Sequence, residues 1–261
     1  MRLSTLCAAT ALAIGSIGLA YATPNLIQNP NFAASGVTVS TQFGTASYNG
    51  SSSHQFITNW LGNDGYAIWF PTAGAASTEN TVGQYTGTGK EKLYGPVTAP
   101  PNGTSSTPFV GLDGDQAAGV QASISQTVGG LTVGKSYTVS FDWALGQVQS
   151  RTGATKENLA VTFGSTTLST ATKDNPSESF TGWFSQSFNF VATSTSQLLS
   201  FLSVGTPGGL PPMALLSNVS VSAVPEPPEL ALFGGGLLGL GLLTLYTRKR
   251  GQRRDAENGI A

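Results

Sequence analysis

Cysteine, histidine and charge are all scarce in this chain of 261 residues. The single cysteine, Cys7, sits in an apolar N-terminal run. Beyond it there is no disulfide and no thiolate to act as nucleophile or metal ligand. The single histidine, His54, lies in the polar stretch Ser51-Ser52-Ser53-His54-Gln55 and reads as a solvated loop residue. No G-x-S-x-G marks a nucleophile elbow, and a zinc site would need two or more carboxylates beside one imidazole. Charged residues make up 10% of the chain, against roughly 25% in ordinary soluble domains. That excludes long helices and coiled coils, which are built from Glu, Lys, Arg and Ala. A net charge of −1 provides no global field for nucleic acid. Ser and Thr are abundant instead, 60 together, with 33 Gly. Apolar residues reach 39% and include 13 Phe and 4 Trp, enough for a folded core over most of the length.

Long hydrophobic runs occur only at the two ends. Arg2 followed by the apolar Leu3 to Leu19, then Ala20-Tyr21-Ala22, has the form of a secretory signal peptide over residues 1–22. Signal peptidase is expected to leave Thr23 as the first residue. At the other end, Leu230 to Tyr246 is uncharged over 17 residues, the short limit of the roughly 17–25 needed to span a bilayer. Arg248, Lys249, Arg250, Arg253 and Arg254 follow at once, which places this end in the cytoplasm and the preceding domain outside. Between Pro24 and Val224 there are 6 basic and 9 acidic residues, a mildly acidic balance.

Residues 224–254 combine Pro225-Glu226-Pro227, the Gly/Leu-rich span at 230–246 and the basic cluster at 248–254, with a polar tail at 255–261. This order and spacing closely resembles the PEP-CTERM sorting signal of Gram-negative bacteria. The resemblance implies recognition by an exosortase-type membrane transpeptidase and cleavage near the P-E-P motif. It also implies an inner-membrane intermediate, then attachment at the cell surface or outer membrane, or extracellular release, in an organism that makes extracellular polysaccharide. A permanent single-span anchor is the alternative, since hydropathy alone does not separate the two.

Residues 23–223 form the extracellular domain in this reading. Short alternating runs recur there, separated by Gly, Asn, Ser and Pro. Tyr137, Val139, Phe141 and Trp143 fall on one face of a strand; Leu159, Val161 and Phe163 repeat the pattern. Phe184, Phe188 and Phe190 do so again, and Gln197 to Val204 and Leu215 to Val221 complete the set. Gly129-Gly130 and Gly134 mark a strong turn between Ile124–Val128 and the Tyr137 strand. An all-β fold is expected, an antiparallel sandwich with Phe141 and Val161 fully buried. The run ISQTVGGLTVGKSYTVSFDW, the opening Asn25-LIQNPNF and the closing Ala214-LLSNVSV resemble galactose-binding-like jelly-roll domains. The resemblance implies a jelly-roll fold more strongly than an activity. Residues 33–109, rich in Gly, Ser, Thr, Asn and Pro, read as loops and shorter strands at one end of the sandwich.

Two clusters invite a chemical reading. Trp60, Asn63, Asp64, Tyr66 and Trp69 lie within ten residues. Indoles stack on the apolar faces of sugar rings while Asn and Asp hold the hydroxyls, so the segment has the composition of a carbohydrate platform; strand core is the alternative. Asp113-Gly114-Asp115 places oxygen donors about a glycine and could begin a structural Ca²⁺ site, although the rest of a calcium loop is missing and a plain turn accounts for it equally. Trp143 and Trp183 read as core. No other cofactor is expected. The chain therefore reads as an exported, non-catalytic polysaccharide-binding or matrix-associated module. A structural or adhesive surface protein is the second reading and a polysaccharide-acting enzyme the third.

Overall fold

Period-two alternation places one row of side chains from each strand against the facing sheet. The computed structural model describes residues 23–44, 55–63, 65–77, 89–117, 119–149, 151–210, 212–225 and 246. The chain divides into Thr23–Val224 and a second unit of Met1–Ala22 with Pro225–Ala261, of which only Pro225 and Tyr246 are described. The signal peptide, Glu226, Pro227, nearly all of the 230–246 span and the basic cluster from Arg248 lie outside the described residues, as do His54 and Asp64. Among the described residues no helix is long and apolar enough to cross a membrane.

The described residues form twelve strands and one short helix in the order β1 (Thr41–Phe43), β2 (Leu61–Gly62), β3 (Ala67–Phe70), α1 (Ala73–Ala76), β4 (Phe109–Asp113), β5 (Ser123–Gly129), β6 (Ser136–Gln147), β7 (Thr155–Phe163), β8 (Thr166–Ser169), β9 (Lys173–Asn175), β10 (Trp183–Val191), β11 (Ser196–Thr206) and β12 (Pro212–Ala223). Sheet one runs β1-β3-β4-β12-β6-β10; sheet two runs β2-β5-β11-β7-β8, with β9 paired to β7. Every pairing between two of these strands is antiparallel. From β4 to β7, and again from β10 to β12, successive strands pass from one sheet to the other. This is the all-β antiparallel sandwich expected from the sequence.

The main core lies between the sheets. Tyr137, Val139, Phe141, Trp143 and Leu145 of β6 enter it from sheet one; Leu159, Val161 and Phe163 of β7 and Leu199 and Phe201 of β11 enter it from sheet two. Phe141 is 2% exposed and Val161 0%, with Phe141 edge-on to Phe201 at 5.1 Å. The expected turn forms before β6: Gly130 has φ 76° and Gly134 φ 83°, conformations that a Cβ penalises.

A second apolar cluster occupies the outer face of sheet one. Ile68, Phe70, Phe109, Ala144, Met213 and Leu215 point outward there, on the alternate positions of strands whose other residues enter the main core. Leu93 and Val97 from the 71–108 segment cover them, with α1 supplying Ala73 and Ala76. Thr72 starts that helix by accepting the Ala75 N–H. Residues 33–109 were expected as loops and short strands at one end of the sandwich. They supply β1 and β3 to sheet one as well as a cover for part of its outer face. Trp143 is buried as expected; Trp183 is half-buried against the second cluster and donates to Thr98 O at 2.8 Å.

Candidate functional site

The aromatic segment folds inward. Trp60, Tyr66 and Trp69 are 2%, 0% and 3% exposed. Asn59 takes a left-handed φ of 67°, closing a turn in which Trp60 N–H donates to Ile57 O. The Trp60 indole then lies against Phe32 at 5.0 Å and donates to Asn29 O at 2.9 Å. Trp69 donates to Phe32 O at 2.9 Å and meets Phe56 edge-on, so both indoles pin the N-terminal segment to the sandwich. Asn63 works locally: its oxygen accepts from Gly65 N and Ser123 N, and its amide donates to Gln121 O. The expected stacking platform of Trp60, Asn63, Asp64, Tyr66 and Trp69 is thus corrected for its aromatic members, because indoles with satisfied N–H groups gain more from the core than from solvent.

The turn carrying Trp60 nevertheless shapes an open groove of about 510 Å³ at the β2 edge of sheet two. Two amides of its lining are bonded to the backbone. Gln126 accepts from Gln28 N and donates to Gln28 O and Asn59 O. Gln55 exchanges both of its bonds with the backbone of Gly62. Leu61 and Leu198 stand on the rim, 61% and 50% exposed. Between them lie the outward positions Ser125 and Thr127 of β5, with Gln28, Thr58 and Asn59 opposite. Among the described residues the lining contains no acid, base, imidazole or thiol. Such a surface offers apolar contact plus neutral donors and acceptors.

The sequence held one signal for this site. Strand β11 alternates inward Gln197, Leu199 and Phe201 with outward Leu198 and Ser200, and a leucine on the solvated row is out of pattern. Gln28, Leu61 and Gln126 carry no such mark.

The acidic residues meet elsewhere. Asp113 Oδ1 accepts Asp115 N, while Asp115 accepts Ala117 N and, at 2.6 Å, Gly209 N. Both carboxylates of the expected Ca²⁺ pair therefore cap turns, and only Asp113 Oδ2 remains without a partner. Among the described residues no group of three or more His, Cys, Asp or Glu could hold a metal ion. Asp113 does share its surroundings with Glu157, which accepts from Ser203 Oγ at 2.7 Å. Both are 0% exposed. Burial pushes the Asp113 carboxyl up to about 7, with the Asp115 N–H opposing and the Asp115 charge adding to the rise. Burial likewise holds Glu157 well above the ordinary carboxylate range, its Ser203 bond opposing. Gly114 passes between them: a Cβ there would stand 2.7 Å from both Glu157 Oε1 and Gly205 N.

On the outer face of sheet one, Asp142 accepts from Ser185 at 2.6 Å, Asn218 at 2.8 Å and Asn102 at 3.3 Å. It fastens the 102 loop to the sheet.

Residues 105–210 match a family described as "Protein of unknown function (DUF642)", less than half of the chain. No curated protein matches the sequence. Among solved structures the chain is similar to TmCBM61 in complex with beta-1,4-galactotriose, at 13% identity and TM-score 0.40, covering 77% of this chain and 100% of that one. It is also similar to the CBM22-1 xylan-binding domain of Paenibacillus barcinonensis Xyn10C, at 11% identity and TM-score 0.33, covering 74% and 98%. The C-terminal domain of the sugar-binding protein EclA matches at 17% identity and TM-score 0.28, covering 38% and 64%.

Proposed function

We propose that this chain is an exported, surface-sorted, non-catalytic module that binds neutral polysaccharide in the groove beside Trp60. One observation carries the reading: an open groove with exposed leucines on its rim, amides and hydroxyls between them, and no titratable side chain among its described lining residues. Pyranose rings present C–H faces to apolar side chains and hydroxyls to amides, and such sites work through a few placed polar groups on an apolar wall. Backbone bonds hold the Gln55 and Gln126 amides in place, so little ordering cost for them falls on binding. Absence of charge favours a neutral over an anionic polymer and makes affinity insensitive to salt. Export through the leader at 1–22 and sorting through Pro225, Glu226, Pro227 and the Arg248, Lys249, Arg250 cluster rest on the sequence patterns, with signal peptidase and an exosortase-type enzyme as processing partners. Structural Ca²⁺ at Asp113 and Asp115 remains a proposal with one free carboxylate oxygen in its favour.

The test is affinity electrophoresis of the exported protein in gels cast with neutral or anionic polysaccharides. Neutral gels are expected to retard the wild type equally at low and high salt. Leu198→Asp and Leu61→Asp, both at exposed positions, are expected to migrate freely while keeping wild-type thermal unfolding. Retardation by anionic gels alone, lost in salt, would contradict the reading. Full retardation of both variants would place binding elsewhere.

A further inference from the structure

The edges of the two sheets are unequal. At β1, β2 and β8 the terminal strands have 3, 2 and 4 residues, and β9 adds 3 beside β7. Short edges of this kind offer little to a passing strand. By contrast, β10 is a terminal strand of 9 residues that, among the described residues, pairs only with β6. Its sequence, WFSQSFNFV, carries no charge and no proline, the usual guards of an exposed edge. Lys173, on β9 of sheet two, stands over the Phe184 ring at 4.9 Å and leaves the strand itself uncharged.

The backbone of β10 has a definite free side. Ala192 N–H, one step beyond the strand in the same register, donates to Lys135 O, so even-numbered positions bond to β6. Side chains of odd positions meet across the closer, non-hydrogen-bonded pairs: Ser185 with Asp142 at 2.6 Å and Asn189 with Thr138 at 2.8 Å. The N–H and C=O groups of Ser185, Ser187 and Asn189 therefore point away from the sheet. Gln186 bends its own amide onto Ser187 O at 3.0 Å, as expected of a carbonyl with no strand partner.

The centre of this edge is a palindrome, Phe184-Ser185-Gln186-Ser187-Phe188. We infer that β10 is a self-association edge, pairing antiparallel with β10 of a second copy about Gln186. A two-fold axis there sets Ser185 opposite the partner's Ser187, Gln186 opposite Gln186 and Phe184 opposite Phe188. The odd positions on both strands then have the parity needed to exchange backbone bonds, two for each Ser185–Ser187 pair. Half-buried Phe184 and Phe188, already packed on the main core, gain a phenyl partner across the joint. Two facing glutamines can bond to each other once released from the Ser187 carbonyl. An isologous contact of this kind closes at two copies. The groove lies on sheet two, so pairing through sheet one gives a dimer with two grooves.

Cysteine cross-linking tests the register, because the chain has only Cys7. In a Cys7→Ser background of the full chain, Gln186→Cys would meet its own copy at a Cα separation of about 4.5 Å, inside the disulfide range. Mild oxidation is expected to convert most of it to a disulfide-linked dimer. Asn189→Cys, opposite Trp183 in this register, is expected to stay monomeric. Equal cross-linking of the two variants, or none in Gln186→Cys, would overturn the proposal. Ser187→Pro removes an edge-facing N–H and no bond to β6. It is expected to keep wild-type thermal unfolding and to halve the mass found by light scattering. A wild type that is monomeric at every concentration would overturn the proposal, as would a folded Ser187→Pro variant that remains a dimer.

Discussion

Sheet one has two halves made of the same strands. In one half, Ala144, Met213 and Leu215 face outward under the 71–108 segment, and the sheet is buried on both sides. In the other, Thr138, Ser140, Ser187 and Ser220 face outward, partly or fully exposed. The change occurs within β6 and β12, whose burial goes from alternating to continuous along the strand. A covered sheet reads as a continuous apolar run, whereas a solvated face reads as strict alternation. Strand identity therefore survives along the whole length, but the pattern that announces it fades where a second layer packs on.

The largest expected effects fall in the two cores. Phe141→Ala in the main core and Phe109→Ala in the second should each cost about 3–5 kcal/mol, measured by denaturant unfolding. If the cover is one unit with the sandwich, Phe109→Ala shifts a single transition. A separate early transition would mark the cover as an independent layer.

The acids at the covered end come next. The raised carboxyl of Asp113 stays protonated in the folded chain while its unfolded counterpart ionises above about 4. The contribution is fully present below that value and is lost as pH rises towards about 7. Folding free energy should fall over this window by an amount on the order of 4 kcal/mol, and Asp113→Asn should flatten the slope. Unfolding curves collected at successive pH values measure it.

Smaller effects belong to the solvated side. Nothing lies within 4 Å of a Cβ placed on Gly134, so Gly134→Ala isolates the backbone cost of its φ of 83°, about 1–2 kcal/mol. Ser140→Ala, on the open face, should stay within about 0.5 kcal/mol. A larger loss at Ser140 would mean that this face is covered too.

Sequence patterning made β5, β6, β7, β10, β11 and β12 legible because most carry one solvated row, whereas the short β8 and β9 carry too few residues to show a period. It located the Gly130 and Gly134 turn because both need positive φ. It misjudged Trp60, Tyr66 and Trp69, since an aromatic cluster in a Gly/Asn-rich stretch looks the same whether it faces solvent or pins a segment. Only the chain path shows that Asn29 and Phe32 supply the carbonyls for the two indoles. The groove was illegible because it joins Gln28, Leu61, Ser125 and Leu198 from four distant stretches. Leu198 was the one groove residue marked by its strand's alternation, and Leu202 and Val204 on the same row dilute that mark.

The most direct measurement is chemical-shift mapping of the isotopically labelled protein with an oligosaccharide cut from the polysaccharide that retards it most. Binding in the groove predicts that the backbone amides of Gln28, Asn59, Thr127 and Leu198 move with one saturation curve while those of Ser140, Ser187 and Ser220 stay still. Shifts confined to the open half of sheet one, with the groove amides unmoved, would contradict the account.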